Sequence, residues 1–334
     1  MKYYNIPIFV PHEGCPFDCV FCNQRRITGL DTSMTADKVE ETIKSYLATI
    51  PKGEKTVEAA FFGGSFTGIS DEKQEALLGA AYKFVESGEI DGIRLSTRPD
   101  YISERISDRL FKYGVTTVEL GVQSMDNEVL KASGRGHTKD AVISAVSVLK
   151  KYPFKIGLQM MTGLPCDTTE KSVETARQIA ELEPDFVRIY PTLVLKDTYL
   201  EKMYKSGNYR PQSVAEAVDA LKRIMPVFLE KNIKIIRVAL AVTEEISEGG
   251  AVVAGPFHPA IRELAEGEIY FDKMCEILDK DRQVKGFLVN EKEISKAVGN
   301  AKINEKRIFE KYGIKIKFKP SRKLSKGEIA AWKE

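Results

Sequence analysis

The stretch Val57-Glu58-Ala59-Ala60-Phe61-Phe62-Gly63-Gly64-Ser65-Phe66-Thr67 is a short apolar run closed by two glycines, and an amphipathic run from Asp71 to Val85 follows it. A short apolar run bounded by a turn reads as a strand, and the period of the next segment reads as a helix. The same alternation extends in both directions. Strands are predicted near Ile6 to Val10, Val57 to Phe62, Ile93 to Thr97, Thr117 to Val122, Ile156 to Met161 and Phe186 to Tyr190. Helices are predicted over Thr35 to Leu47, Asp71 to Val85, Glu104 to Lys112, Lys139 to Lys150 and Glu170 to Leu182. Strands joined by crossover helices make a parallel α/β sheet. Six strands, where a closed barrel has eight, predict a partial (β/α)6 TIM-like barrel with its functional groups at the C-terminal strand ends.

Composition bounds the rest. With 334 residues, 43% hydrophobic and 29% charged, the chain can bury one barrel-sized core plus a small appendage. No apolar run approaches the roughly 20 residues of a membrane-spanning helix, and Met1-Lys2-Tyr3-Tyr4-Asn5 lacks the apolar core of a signal peptide, so a cytoplasmic location without membrane association is expected. The net charge of +2 conceals an asymmetry: Asp281 to Glu334 holds 15 Lys and Arg against 7 Asp and Glu, a balance of +8, which leaves −6 for the residues before it. A basic tail on an acidic body favours a polyanionic partner. The boundary is expected near Lys280, giving domains 1–280 and 281–334. Between Leu195 and Lys280 the chain reads as mainly helical, with an amphipathic Ser213 to Glu230 and one strand at Ile233 to Val238, a wall closing the barrel.

Cys15, Cys19 and Cys22 form a C-x3-C-x2-C run. Iron–sulfur clusters are normally held by four thiolates, so a loop supplying three leaves one iron open to another ligand. Zinc is the alternative, because His12 lies three residues before Cys15 and would complete a site of three thiolates and one imidazole. A disulfide framework is not expected from five cysteines without a secretory leader. Cys166 and Cys275 stand alone, as small buried hydrophobes usually do. The triplet resembles the cluster loop of the radical S-adenosylmethionine (SAM) enzymes. That resemblance implies a [4Fe-4S] cluster whose open iron is chelated by SAM. It also implies one-electron cleavage of SAM to a 5'-deoxyadenosyl radical, and an electron donor such as flavodoxin or ferredoxin.

Polar groups recur at the predicted strand ends: Gly63-Gly64-Ser65, Ser96-Thr97-Arg98-Pro99-Asp100, Glu119 to Ser124, Arg135-Gly136-His137 and Gln159 to Pro165. With Arg188 to Val194 and Ile236-Arg237-Val238, this ordered set resembles the radical-SAM half of the Elongator catalytic subunit, a tRNA-modifying enzyme, over about residues 5 to 275. A more distant likeness is to oxygen-independent coproporphyrinogen oxidase. By position, the resemblance implies that Gly63, Gly64 and Ser65 meet the SAM amino group. It implies Ser96, Gln123 and Gln159 at the ribose or adenosine, Arg135 at the carboxylate and Phe21 near the adenine. Arginine suits the carboxylate because its fork pairs two oxygens. The weak catalytic candidates are Cys166, where many relatives have glycine after Gly-Leu-Pro, and His258. Nothing after Arg237 resembles the Elongator acetyltransferase domain, so acetyl transfer is not carried over.

The tail orders as strand (Val284 to Val289), helix (Glu291 to Val298), turn (Gly299-Asn300-Ala301-Lys302), helix (Ile303 to Tyr312) and strand (Ile314 to Phe318). This resembles a small α+β KH-like RNA-binding domain, in which a G-x-x-G loop clamps the nucleotide backbone. Here the loop ends in Lys302. Lys315, Lys317 and Lys319 alternate, which places three ammonium groups on one face of a strand. The expected activity is modification of a nucleotide in tRNA or rRNA. The alternatives are a radical SAM oxidase of a small, porphyrin-like molecule and a non-catalytic zinc-containing RNA-binding protein.

Overall fold

The computed structural model describes residues 2–10, 15, 19–23, 34–240 and 250–333. His12, with Glu13, Gly14, Pro16, Phe17 and Asp18 of the cysteine run, lies outside the described residues. The chain divides into two compact units, residues 1–212 with 227–257, and residues 213–226 with 258–334.

The first unit is built on β1 (Lys2–Val10), β2 (Lys55–Gly63), β3 (Gly92–Thr97), β4 (Val115–Gln123), β5 (Lys155–Thr162), β6 (Phe186–Pro191) and β8 (Lys234–Val238), hydrogen-bonded in that order. Every neighbouring pair is parallel, so the sheet is the curled, open half of a TIM-like barrel. All six predicted strands are present. The seventh corrects the six-strand expectation: Ile233 to Val238 is not a wall beside the sheet but its last parallel member, paired with β6.

Helices α1 (Ala36–Thr49), α2 (Asp71–Glu86), α3 (Glu104–Lys112), α4 (Asn127–Ala132), α5 (Lys139–Leu149) and α6 (Thr169–Glu181) connect the strands, and α7 (Tyr199–Lys205) follows β6. Their starts are written in the sequence. Thr35, Ser70, Ser103, Asp126, Thr168 and Thr198 each accept a hydrogen bond from a first-turn N–H, a cap worth about 1 kcal/mol. A short antiparallel pair, β7 (Val194–Leu195) and β9 (Val252–Ala254), lies outside the main sheet.

Outward strand positions such as Ile93, Leu95, Val118 and Leu120 are fully buried beneath the helices. The inner face carries charge. Glu58, Arg94, Glu119 and Arg188 form one ladder, with Arg94 3.0 Å from Glu58 and 3.3 Å from Glu119, and Arg188 2.7 Å from Glu119. Gly157 makes room for it. A Cβ there would meet the Phe186 ring at 2.2 Å, and that ring lies 5.2 Å from the Arg94 guanidinium.

The second unit receives α8 (Val214–Glu230), which begins in it and ends in the first unit, and holds α9 (Ile261–Lys280), β10 (Gly286–Asn290), α10 (Ile294–Val298), α11 (Ile303–Tyr312), β11 (Lys317–Ser321) and β12 (Ile329–Trp332). Strand β10 is central, parallel to β11 and antiparallel to β12. Tyr270, Met274, Cys275 and Leu278 of α9 share one core with Val284, Phe287, Val289, Ala297 and Ile308, so a boundary at Lys280 cuts through this core. The expected strand at Ile314 to Phe318 starts three residues later, at Lys317.

Candidate active site

The ends of β1 and β2 meet in register, Val10 opposite Gly63. Gly64 N–H donates to Val10 O at 2.8 Å. Gly63 has φ +112°, and a Cβ on it would stand 3.0 Å from Val10 O, so both the conformation and the approach require glycine. The segment carrying the three cysteines leaves from Val10, directly beside the Gly63-Gly64-Ser65 turn. Ser65 is buried, and its hydroxyl shares a hydrogen bond with Thr97 Oγ1 at 2.9 Å and accepts from Arg98 N at 3.2 Å. That network ties the β2 and β3 ends together.

Arg98 and Arg135 join the next two ends. The Arg98 guanidinium donates to both Asp100 carboxylate oxygens at 2.9 Å and to the Arg135 carbonyl at 2.5 Å. Arg135 in turn donates to Gly121 O at 2.5 Å and to Cys19 Sγ at 3.3 Å. Its Nε is buried with no hydrogen-bond partner among the described residues. His137 donates from Nε2 to Val122 O at 3.2 Å. Burial first, then Arg135 and Arg98, lower its pKa to about 4, with Asp100 opposing, so the imidazole is neutral.

A bulge in β4 between Gly121 and Gln123 holds Gln123 at φ +68°. Such strained backbone re-aims a side chain at a sheet end. Here it brings Gln123 Oε1 to Gln159 Nε2 at 3.2 Å. Ser96 is half-buried on β3, two residues beyond Arg94 and so on the same inner face. After β5, Gly163 N–H donates to Asp167 at 2.8 Å and Tyr209 OH donates to Gly163 O at 2.5 Å.

All five cysteines are free. Cys19 is buried, Cys22 is half-buried and its N–H closes a turn onto Cys19 O at 2.9 Å. Cys15 is exposed as a residue, yet partial desolvation of its sulfur and the neighbouring Cys19 raise its pKa against the pull of Ser65 N–H, Arg135 and Arg98. Among the described residues no three His, Cys, Asp or Glu side chains converge tightly enough to hold a metal ion; the three thiols share one segment and neighbourhood without meeting at a point. The donor set still suits an iron–sulfur cluster, with thiols placed beside two buried guanidinium groups and a glycine turn. Phe21 packs against Val20, Val194, Leu200 and Tyr209.

Of the weaker candidates, Cys166 lies in the turn after β5 and His258 in the second unit. Cys166 is exposed at φ +64°. His258 belongs to the second unit, where its Nδ1 accepts from Ala260 N at 3.1 Å ahead of α9. In the tail, Lys315, Lys317 and Lys319 are exposed and alternate with the inward Ile314, Ile316 and Phe318. Lys302 takes φ +58°, a left-handed conformation that glycine adopts freely. The charge ladder and the Arg98 clamp escaped sequence reading. The ladder's signal is a charged residue inside each of several apolar strands, and that of the clamp is the Arg98-Pro99-Asp100 motif at the end of β3.

Comparison with known proteins places the fold in a family. A family model described as "Radical SAM superfamily" matches residues 9–179, and a "Radical_SAM C-terminal domain" matches 184–270. The tRNA uridine(34) acetyltransferase of Methanocaldococcus infernus is 33% identical over 225 residues, 65% of this chain and 42% of that protein. Elongator complex protein 3 of Saccharomyces cerevisiae is 33% identical over 190 residues, 51% of this chain and 34% of that protein. The chain therefore spans about two fifths or less of these relatives' length. Among solved structures, the M. infernus Elp3 lacking its N-terminus superposes with a TM-score of 0.62 at 24% identity, covering 82% of this chain and 63% of that one. The coproporphyrinogen III oxidase HemN of Escherichia coli gives 0.50 at 18% identity, covering 69% and 52%. With a family model matched over half its length on a half-barrel that carries the cysteine triplet at the first strand end, the chain belongs to the radical SAM superfamily.

Proposed function

We propose that this enzyme modifies a nucleotide in tRNA or rRNA. Members of the superfamily use a [4Fe-4S] cluster and SAM. Bound together, these supply a 5'-deoxyadenosyl radical that removes hydrogen from an unreactive carbon; the cofactor carries the hard chemistry and the protein binds, orients and shields it.

In this reading Cys15, Cys19 and Cys22 hold the cluster. Gly63, Gly64 and Ser65 present backbone to the SAM amino group, and Arg135 pairs its carboxylate. The buried, unpartnered Arg135 Nε supports that role, because it is a desolvated donor awaiting an acceptor. Arg98 fixes the Arg135 main chain from behind. Ser96 and the Gln123–Gln159 pair take the ribose or adenosine, and Phe21 the adenine. His137, neutral through the physiological range, adds no charge to this pocket. Cys166 and His258 remain the weak candidates for contact with the substrate.

The observation that carries an RNA substrate is the likeness to the tRNA uridine(34) acetyltransferase over 65% of this chain. The basic second unit supports it: Lys302, Lys315, Lys317 and Lys319 are exposed there, as a KH-like backbone clamp would need. An electron donor such as flavodoxin or ferredoxin and a cytoplasmic location belong to the same proposal; no helix among the described residues is long and apolar enough to cross a membrane. Comparing nucleoside mass profiles of tRNA and rRNA from cells with and without the gene tests it. One modified nucleoside should vanish in the deletion and return on complementation. An unchanged profile, with no RNA bound by the purified protein, would overturn the proposal in favour of a small-molecule substrate.

A further inference from the structure

The segment from Lys196 to Arg210 is unlike the body that carries it. It holds Lys196, Lys202, Lys205 and Arg210 against Asp197 and Glu201, a local excess of positive charge in a part of the chain that is otherwise acidic. Three tyrosines interleave with those charges. Tyr199 is 61% exposed and Tyr204 39% exposed, whereas Tyr209 is buried. On α7, Tyr199, Lys202 and Lys205 fall at successive i, i+3 positions and so line one side of the helix. All three are exposed.

This segment is keyed to the candidate active site at three points. Leu200 N–H donates to Val20 O at 2.7 Å, between Cys19 and Cys22. Asn23 Nδ2 reaches Asp197 O at 3.4 Å. Tyr209 OH holds Gly163 O at 2.5 Å, at the turn after β5. Beneath it, Leu200 and Tyr209 pack with Val20 and Phe21 in one apolar cluster. The exposed tyrosines and lysines thus stand on a rim anchored to both the cysteine segment and a strand-end turn.

Resting on the RNA reading above, we infer that this rim is a docking platform for single-stranded RNA, on which a nucleotide flanking the target stacks on Tyr199 while Lys202 and Lys205 meet the adjoining phosphates. A large aromatic side chain exposed to water offers a π-face that any base can cover, and interleaved lysines supply the backbone charge; that combination is how sequence-tolerant single-strand binding is built. Lys205 keeps Glu201 as an ion-pair partner at 2.9 Å, so its phosphate contact competes with that pair. Lys202 has no carboxylate partner among the described residues, which makes it the stronger electrostatic contact.

The test uses the full chain and an RNA hairpin with a seven-nucleotide single-stranded loop, its affinity followed by fluorescence anisotropy across a salt series. Tyr199→Ala should weaken binding about tenfold, the order of one lost base–aromatic stack, and Tyr199→Phe should restore it. Lys202→Ala should lower the salt slope by about 0.7, one single-strand phosphate contact. SAM binding by calorimetry should match wild type in each variant. If wild-type protein binds no RNA, the functional reading itself fails. If it binds and both Ala variants keep its affinity and slope, the RNA reading stands and the platform is overturned.

Discussion

Arg94→Ala isolates the energetics of the inner charge ladder. The Arg94 side chain is 7% exposed, those of Glu58 and Glu119 3% and 5%. After its removal Glu119 keeps Arg188 at 2.7 Å. Glu58 keeps hydroxyl partners alone, Thr116 at 2.7 Å, Thr117 at 3.1 Å and Tyr3. One buried carboxylate, not two, is therefore left without a countercharge, a defect costing about 3–5 kcal/mol. For a body of this size that lowers the thermal midpoint by about 6–20 °C. Glu58→Gln combined with Arg94→Met, which removes both charges, should recover much of the loss. Differential scanning calorimetry of the three proteins provides the assay. A midpoint for Arg94→Ala within about 3 °C of wild type would refute the reasoning.

Gly63→Ala forces a Cβ to φ +112° and to 3.0 Å from Val10 O, a strain of about 1–3 kcal/mol. It should lower both the thermal midpoint and the SAM affinity seen by calorimetry. His137 has its pKa lowered to about 4 in the folded chain, so the unfolded chain binds more protons between that value and about 6.5, and stability declines as pH falls through the interval. His137→Gln should flatten that part of the pH–stability curve by up to ~3 kcal/mol. Asn304, 1% exposed, donates to Gly267 O at 2.9 Å and Ala297 O at 3.0 Å. Asn304→Ala leaves both carbonyls short of a donor at about 1–3 kcal/mol, and hydrogen exchange in the second unit should accelerate while that in the half-barrel does not.

The six leading strands were legible because each is an apolar run closed by a turn and followed by a capped amphipathic helix, as Val57 to Val85 illustrates. The seventh was legible as a strand at Ile233 to Val238 but not as a member of the sheet, because the 40-odd residues before Lys234 hold β7, α7 and α8, which breaks the alternation that identified the others. The candidate site was legible as an ordered series of strand-end motifs. Its internal wiring was not. Arg98 reaches the Arg135 carbonyl and Glu58 reaches Arg94 across 37 and 36 residues of chain, and only strand register brings such partners together. The tail's alternating lysines were visible in sequence, but β12 was missed, since Ile329-Ala330-Ala331-Trp332 is too short to show a period. So was the place of α9, whose amphipathic face does not reveal which core it joins.

The account rests on Cys15, Cys19 and Cys22 holding a cluster that cleaves SAM. Anaerobic reconstitution with iron and sulfide, reduction by dithionite and addition of SAM test it most directly, with 5'-deoxyadenosine measured by chromatography and the reduced cluster by electron paramagnetic resonance. A [4Fe-4S] signal altered by SAM, with 5'-deoxyadenosine formed by wild type and lost in each single Cys→Ala variant, is the predicted result. A protein that takes up zinc but no iron–sulfur cluster and yields no 5'-deoxyadenosine would contradict it.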